Sequence, residues 1–184
     1  MATGLRLEPA AGRPDLVAEP VAAALAAWSG PVDVGEVMVA EIDPDLADTA
    51  AFCAAYGVGL EESANCVVVA ARRGESATMA ACVVLATTRA DVNKLVRRHL
   101  GARRASFAPM DEAVAASGME YGGITPVGLP AGWPLLVDAA VAAAPRVVVG
   151  SGLRRSKLWL PGKALAALPG AEVLEGLGVP ALEP

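Results

Sequence analysis

The chain of 184 residues has one histidine and three cysteines, and that scarcity removes several chemistries at once. With His99 alone, a Cys-His or Ser-His catalytic pair has few ways to form, and a His/Cys zinc site has fewer. Cys53, Cys66 and Cys82 are an odd number at wide spacings within apolar runs. They suggest a reduced, cytosolic setting without a disulfide framework or a zinc knuckle. Positive charge is also in deficit: 15 Lys and Arg stand against 20 Asp and Glu, a net charge of −5. This argues against coating nucleic acid through bulk charge, although it leaves room for a local basic patch. The Ala-rich stretch from Val21 to Trp28 is far too short to span a bilayer, and no basic segment followed by an apolar run opens the chain. The expectation is a cytoplasmic protein with no membrane partner, no metal and no cofactor.

About half of the residues, 54%, are apolar, enough for an independently folded globule. Val17, Val21, Leu25 and Trp28 recur at helical spacing, which predicts a helix from about Pro14 to Trp28 that "SGP" ends, with Pro20 at its first turn. "GEVMVAEI", from Gly35 to Ile42, reads as a strand. "DTAAFCAAYG" reads as a short helix with Asp48 or Thr49 as its cap and Gly57 at its left-handed end. The β-branched runs Asn65–Arg72 and Ser76–Thr88 form a hairpin across a glycine-containing turn. Thr88 and Asp91 have capping-box spacing ahead of a helix bearing Val92, Leu95, Val96 and Leu100, which Gly101 ends. "RVVVGSG" and "KLWLP" read as strands, "GKALAAL" as a short helix, and a last strand falls near Val173. The succession is mixed, so the expected class is α+β: a mixed sheet curled toward a barrel, with packed helices.

Chemistry-bearing candidates are few. In "YGGITPVGLP", Gly122 and Gly123 can take dihedrals closed to other residues and admit a ligand close to the main chain, and Pro126 fixes the exit. Such a loop serves equally as a tight connection or as a cradle aiming N–H groups at an oxygen. Asp138 ends an apolar run, where it could cap a helical turn, fix the glycine loop or meet an amine. Gly150, Ser151 and Gly152 follow three valines, at a turn that could face a pocket. His99 falls on an apolar stripe and reads as packed or as a complement to a helix C-terminus. Cys66 reads as a small buried hydrophobe. The clusters "KLVRRHLGARR" and "RRSK" read as solvated faces, or as a phosphate-contacting rim beside a small pocket.

The order of these segments resembles the YbaK/EbsC family, which includes free-standing aminoacyl-tRNA deacylases and the editing domain of bacterial prolyl-tRNA synthetases. The strings carrying the resemblance are "DTAAFCAAYGVGLEESANCVVVAA", "DVNKLVRRHLGARRASFAPMDE", "GGITPVGLP", "PLLVDAAV" and "VVVGSG". It implies a single YbaK-like domain over 1–184, with an N-terminal helical extension over about 1–30. The Gly-x-x-x-Pro loop, matched by Gly122, Gly123, Ile124, Thr125 and Pro126, implies a cradle for the aminoacyl carbonyl and the ribose end of tRNA. Asn65 stands where the family commonly places a lysine, and Cys66 where it places a hydroxyl. Asp138, Gly150, Ser151 and Gly152 match later family positions, and the resemblance implies that with Cys66 they line the substrate pocket.

The implied reaction is hydrolysis of the ester in mischarged tRNA, for which a positioned water and backbone donors suffice. The implied partners are the aminoacylated tRNA acceptor end, which Arg154, Arg155 and Lys157 would contact, and an aminoacyl-tRNA synthetase. Loss of the lysine keeps open an alternative, a binding module of the same fold without turnover. On this reading Gly123→Val abolishes function and leaves the fold largely intact.

Overall fold

The computed structural model describes residues 4–181. The alternating small and β-branched runs build two large sheets. The first is antiparallel, in the order β1 (Glu8–Pro9), β2 (Met38–Glu41), β9 (Ser156–Leu160), β8 (Val147–Gly150). The second is mixed, in the order β10 (Ala171–Leu174), β7 (Leu135–Asp138), β4 (Ser76–Leu85), β3 (Ala64–Arg73), β6 (Arg104–Phe107). Its β10–β7 and β7–β4 pairs are parallel and the other two antiparallel. A ribbon of β5 (Thr88–Ala90) and β11 (Gly178–Pro180) completes the strands. The helices are α1 (Glu19–Ala26), α2 (Thr49–Tyr56), α3 (Arg97–His99), α4 (Met110–Ser117), α5 (Ala139–Ala143) and α6 (Gly162–Ala166).

Period-two alternation explains the layering. Val39, Val147, Val149, Leu158 and Leu160 of the first sheet face Ala81, Val83, Leu135 and Val137 of the second across one core, which α1, α5 and α6 help to fill. The other face of the first sheet puts Ala40, Val148 and Trp159 against Phe52 and Cys53 of α2. The other face of the second buries Val69, Ala80, Cys82, Val84 and Leu136 against Val92 and Val96. No described helix is long and apolar enough to cross a membrane.

Four expectations need correction. Among the described residues no sheet closes or curls into a barrel: the sheets meet through a single bridge, Ser63–Val148, and the β3 edge beyond it stays open. The first helix starts at Glu19, with Pro20 in its first turn, and the chain before it adds β1 to a sheet instead of extending the helix. The Thr88 capping box does not form, because Asp91 itself caps Lys94 N–H and Thr88 Oγ1 donates to Leu85 O. The turn that follows, Val92–Val96, is a π-helix leading into α3. Finally, Asp138 precedes α5 without a side-chain capping bond.

Candidate active site at the open edge of the long hairpin

β4 pairs with β3 over all ten residues, but β6 covers only Val69 to Arg72 on the other side. Val68 O accepts from Ala108 N at 2.9 Å, and two residues earlier the edge is free. In an antiparallel ladder alternate residues present N–H and C=O to the same side, so the N–H and C=O of Cys66 face this open edge. A cavity of about 340 Å³ occupies it, lined by Asn65 and Cys66 of β3, Gly122 and Ile124 of the glycine loop, Gly150 of β8 and Lys157 of β9.

The polar groups there are few and defined. Asp48 caps α2 by accepting from Ala50 N and Ala51 N, which fixes the helix start and sets Thr49 in the wall. Thr49 Oγ1 donates to Asn65 Oδ1 at 2.7 Å. That bond occupies the amide's acceptor, while its N–H groups find no partner among the described residues. Lys157 lies on the wall with 7% exposure, donates to Ala47 O at 2.9 Å and sits 5.3 Å from the Phe52 ring centroid. Burial, the largest influence, holds its pKa below the ordinary lysine value. Burial also pushes the Cys66 thiol far up, so a thiolate nucleophile is not available.

The glycine loop and the Gly150–Gly152 turn are locked main chain to main chain. Glu120 N donates to Gly152 O, Gly152 N to Gly123 O and Gly123 N to Glu120 O, at 2.8, 2.7 and 3.0 Å. Gly122, at φ +78°, is the loop residue that needs glycine's dihedral freedom. Gly123 does not have a positive φ; its Cβ would instead strike the Leu153 carbonyl carbon at 2.8 Å. The expectation that Gly123→Val spares the fold is therefore corrected: that side chain would meet backbone, not a ligand.

Several sequence candidates lie elsewhere. Gly123 packs against Leu153 and is not among the smaller cavity's lining residues, and Pro126 lines a second, larger and mainly apolar cavity of about 560 Å³ with Trp28 and Trp133. The smaller cavity is the better site because it collects the polar and backbone groups. Thr125 is fully buried and its hydroxyl has no partner among the described residues. Thr125→Val is therefore expected to melt at or above the wild type, by about 1 kcal/mol or roughly 2–4 °C, since an unpaired hydroxyl is lost; thermal denaturation checks this, and a lower midpoint would mean the hydroxyl is paired.

Asp138 lies on the face of its sheet away from Ile124, its carboxylate beside Gly178 and Thr88, so it neither fixes the loop nor reaches the cavity. Ser151 is a buried node, bonded to Leu153 O, Ser156 O and Ser156 Oγ, and Gly152 packs against Ala18. Arg154 clamps the rim by donating to Tyr121 O and Pro44 O, and Arg155 donates to Asp15 O. Lys157 faces the cavity and not an outer rim. His99 pairs with Glu172 at 2.9 Å and is not among the cavity's lining residues.

Sequence reasoning missed Thr49, Tyr121, Phe107 and Met110, all cavity residues. Phe107, Met110 and Tyr121 are 64%, 49% and 59% exposed, an apolar lip around a polar hole. Their exposure carries no sequence signal, because each looks like an ordinary core residue.

Solved structures share this fold. A candidate trans-editing enzyme for prolyl tRNA synthetase aligns at 23% identity and TM-score 0.70, covering 85% of this chain and 93% of that one. A scaffold protein for computational grafting of linear epitopes aligns at 23% identity and TM-score 0.71, covering 86% and 95%. At such identity these likenesses carry the fold alone. No curated protein matches the sequence. The model of the aminoacyl-tRNA editing domain matches residues 43–168, which span α2, the long hairpin, the glycine loop and Lys157, and the chain belongs to that family.

Proposed function

We propose that this protein is a trans-acting aminoacyl-tRNA deacylase acting in the cytoplasm, hydrolysing the ester of a mischarged tRNA. The observation that carries the reading is the cavity at the open β3 edge, where a free backbone edge, an amide and a glycine loop meet without a thiolate nucleophile. An ester needs little more: water attacks the carbonyl carbon, backbone N–H groups stabilise the charge on the carbonyl oxygen, and as that charge returns the ester C–O bond breaks, the leaving ribose oxygen taking up the proton the water loses. Cys66 N–H is one such donor by its place in the ladder. The Asn65 amide orients the ester or the terminal ribose, with Thr49 holding it in place. The cavity's size favours a small aminoacyl group, as editing sites admit what fits.

The tRNA side of the reading has its own support. Arg72 stands directly opposite Arg104 on β3 and β6, flanked by Arg73 and Arg103. Like charges in register repel, an arrangement that a polyanion relieves. From Cys66 to Arg72, which share a face of the strand, the span is roughly 20 Å, so an acceptor stem laid along it would bring its end to the cavity. An aminoacyl-tRNA synthetase is a further partner on this reading.

Single-turnover deacylation over a panel of mischarged tRNAs tests the reading. At least one is expected to be hydrolysed, and Asn65→Ala to slow it about tenfold, the worth of one hydrogen bond in the transition state. Asn65 in the place of the family lysine favours the second reading, a binding module. Binding of aminoacylated tRNA without hydrolysis of any panel member would establish it.

A further inference from the structure

Lys157 is one of three lysines in the chain and sits in a strand whose five residues are all buried. Its neighbours in register are Ala40 and Gly150, and its own face of the sheet carries Trp159 and Phe52. Nothing in that setting pairs with a cation by charge. Among the described residues no carboxylate lies within ion-pair distance of Nζ; Asp48, whose field reaches it, keeps its charge while its Oδ1 caps α2, and it lines the same cavity. A carbonyl and an aromatic face hold the ammonium in place but do not neutralise it. A buried cation without a directly paired counter-ion is costly, and Lys157 is among the residues that line the cavity.

We propose that Lys157 Nζ is the anion-binding group of the cavity, meeting a phosphate oxygen of the 3′-terminal nucleotide and supplying from β9 the positive charge that position 65 lacks. The inference rests on the editing reading for the nature of the ligand, but not for the charge. Asn65 and Lys157 line the same cavity from different strands, so a cation can enter it from either.

The test uses adenosine 5′-monophosphate against adenosine, titrated calorimetrically into wild type, Lys157→Met, and Lys157→Met combined with Asn65→Lys. Wild type is expected to bind the monophosphate at least about tenfold more tightly than adenosine. Lys157→Met is expected to lose that difference and leave adenosine within about threefold. The double variant is expected to recover it, which a merely structural lysine would not allow.

Melting separates the roles further. A depressed lysine pKa means the charged form destabilises the fold at neutral pH, and the loss is relieved as pH rises toward the unfolded value. Lys157→Met should accordingly melt at or above the wild type. Equal monophosphate binding by wild type and Lys157→Met, no preference for the monophosphate in wild type, or a Lys157→Met midpoint more than about 5 °C lower would each overturn the proposal. Failure to hydrolyse any mischarged tRNA, with the monophosphate results as expected, would remove the deacylase reading and keep the anion site.

Discussion

Gly150→Ala is expected to cost about 3 kcal/mol and to lower the melting midpoint by roughly 6–12 °C. The new Cβ would stand 2.5 Å from Gly123 O, 2.9 Å from Ile124 O and 3.0 Å from Gly123 C. All three atoms are main chain, so no rotamer change relieves the contact. The glycine loop would have to move outward, straining the 2.7 Å bond from Gly152 N to Gly123 O. The wall of the cavity would move with it, and deacylation should fall even in the folded fraction. Gly122→Ala is the control: it must hold φ +78°, at roughly 1 kcal/mol, but its Cβ meets only the guanidinium of Arg154, the far end of a half-buried, flexible side chain that can shift. Melting curves for both variants decide the matter. A Gly150→Ala protein as stable as Gly122→Ala would show that the two glycine segments are not packed backbone on backbone.

Replacing Phe107 and Tyr121 together by Ala is expected to weaken binding of a single-stranded RNA ending in adenosine by about 10- to 100-fold. Stacking of a base on an aromatic ring is worth roughly 1–3 kcal/mol, and a base leaving the cavity meets these two rings at its mouth. Because both rings are mainly exposed, the melting midpoint should stay within about 2 °C of the wild type. Equilibrium binding followed by anisotropy reads the effect, and on the full substrate it should raise KM while leaving kcat nearly unchanged. Unaltered RNA affinity in the double variant would leave the lip as bare surface with no part in recognition.

Part of the site was legible in the chain itself. The glycine loop, the "ANCVVV" strand start and the Gly150 turn were marked by residues whose types are unusual for their surroundings, and of the marked positions Asn65, Cys66, Gly122, Ile124, Gly150 and Lys157 line one cavity. The misplaced candidates share one cause. Ser151, Thr125 and Pro126 sit one or two positions along from the cavity residues Gly150 and Ile124, and the direction of a side chain, Asp138 included, depends on pleat and packing. Shifting one residue along a strand moves a side chain to the other face. Asp138 is on the face of its sheet opposite Ile124 for that reason.

Lys157 shows the same limit from the other side. In "RRSK" it reads as the last member of a basic surface run, yet Arg154 and Arg155 spend their guanidinium groups on backbone carbonyls at the rim while Lys157, inside β9, turns inward. What the sequence by itself determined was local: the class of elements, the hairpin, the helix caps at Asp48 and Gly57, and the need for glycine where chains cross. These follow from short-range sterics and hydrogen bonding, which adjacent residues carry. Only the tertiary structure decided that β6 stops short of Cys66, that among the described residues the two sheets touch at one bridge without closing, and that the buried Lys157 lines the same cavity as Asn65. Those outcomes depend on how two sheets pack across a shared core, an arrangement joining residues as far apart as Val39 and Leu160 that no local window contains.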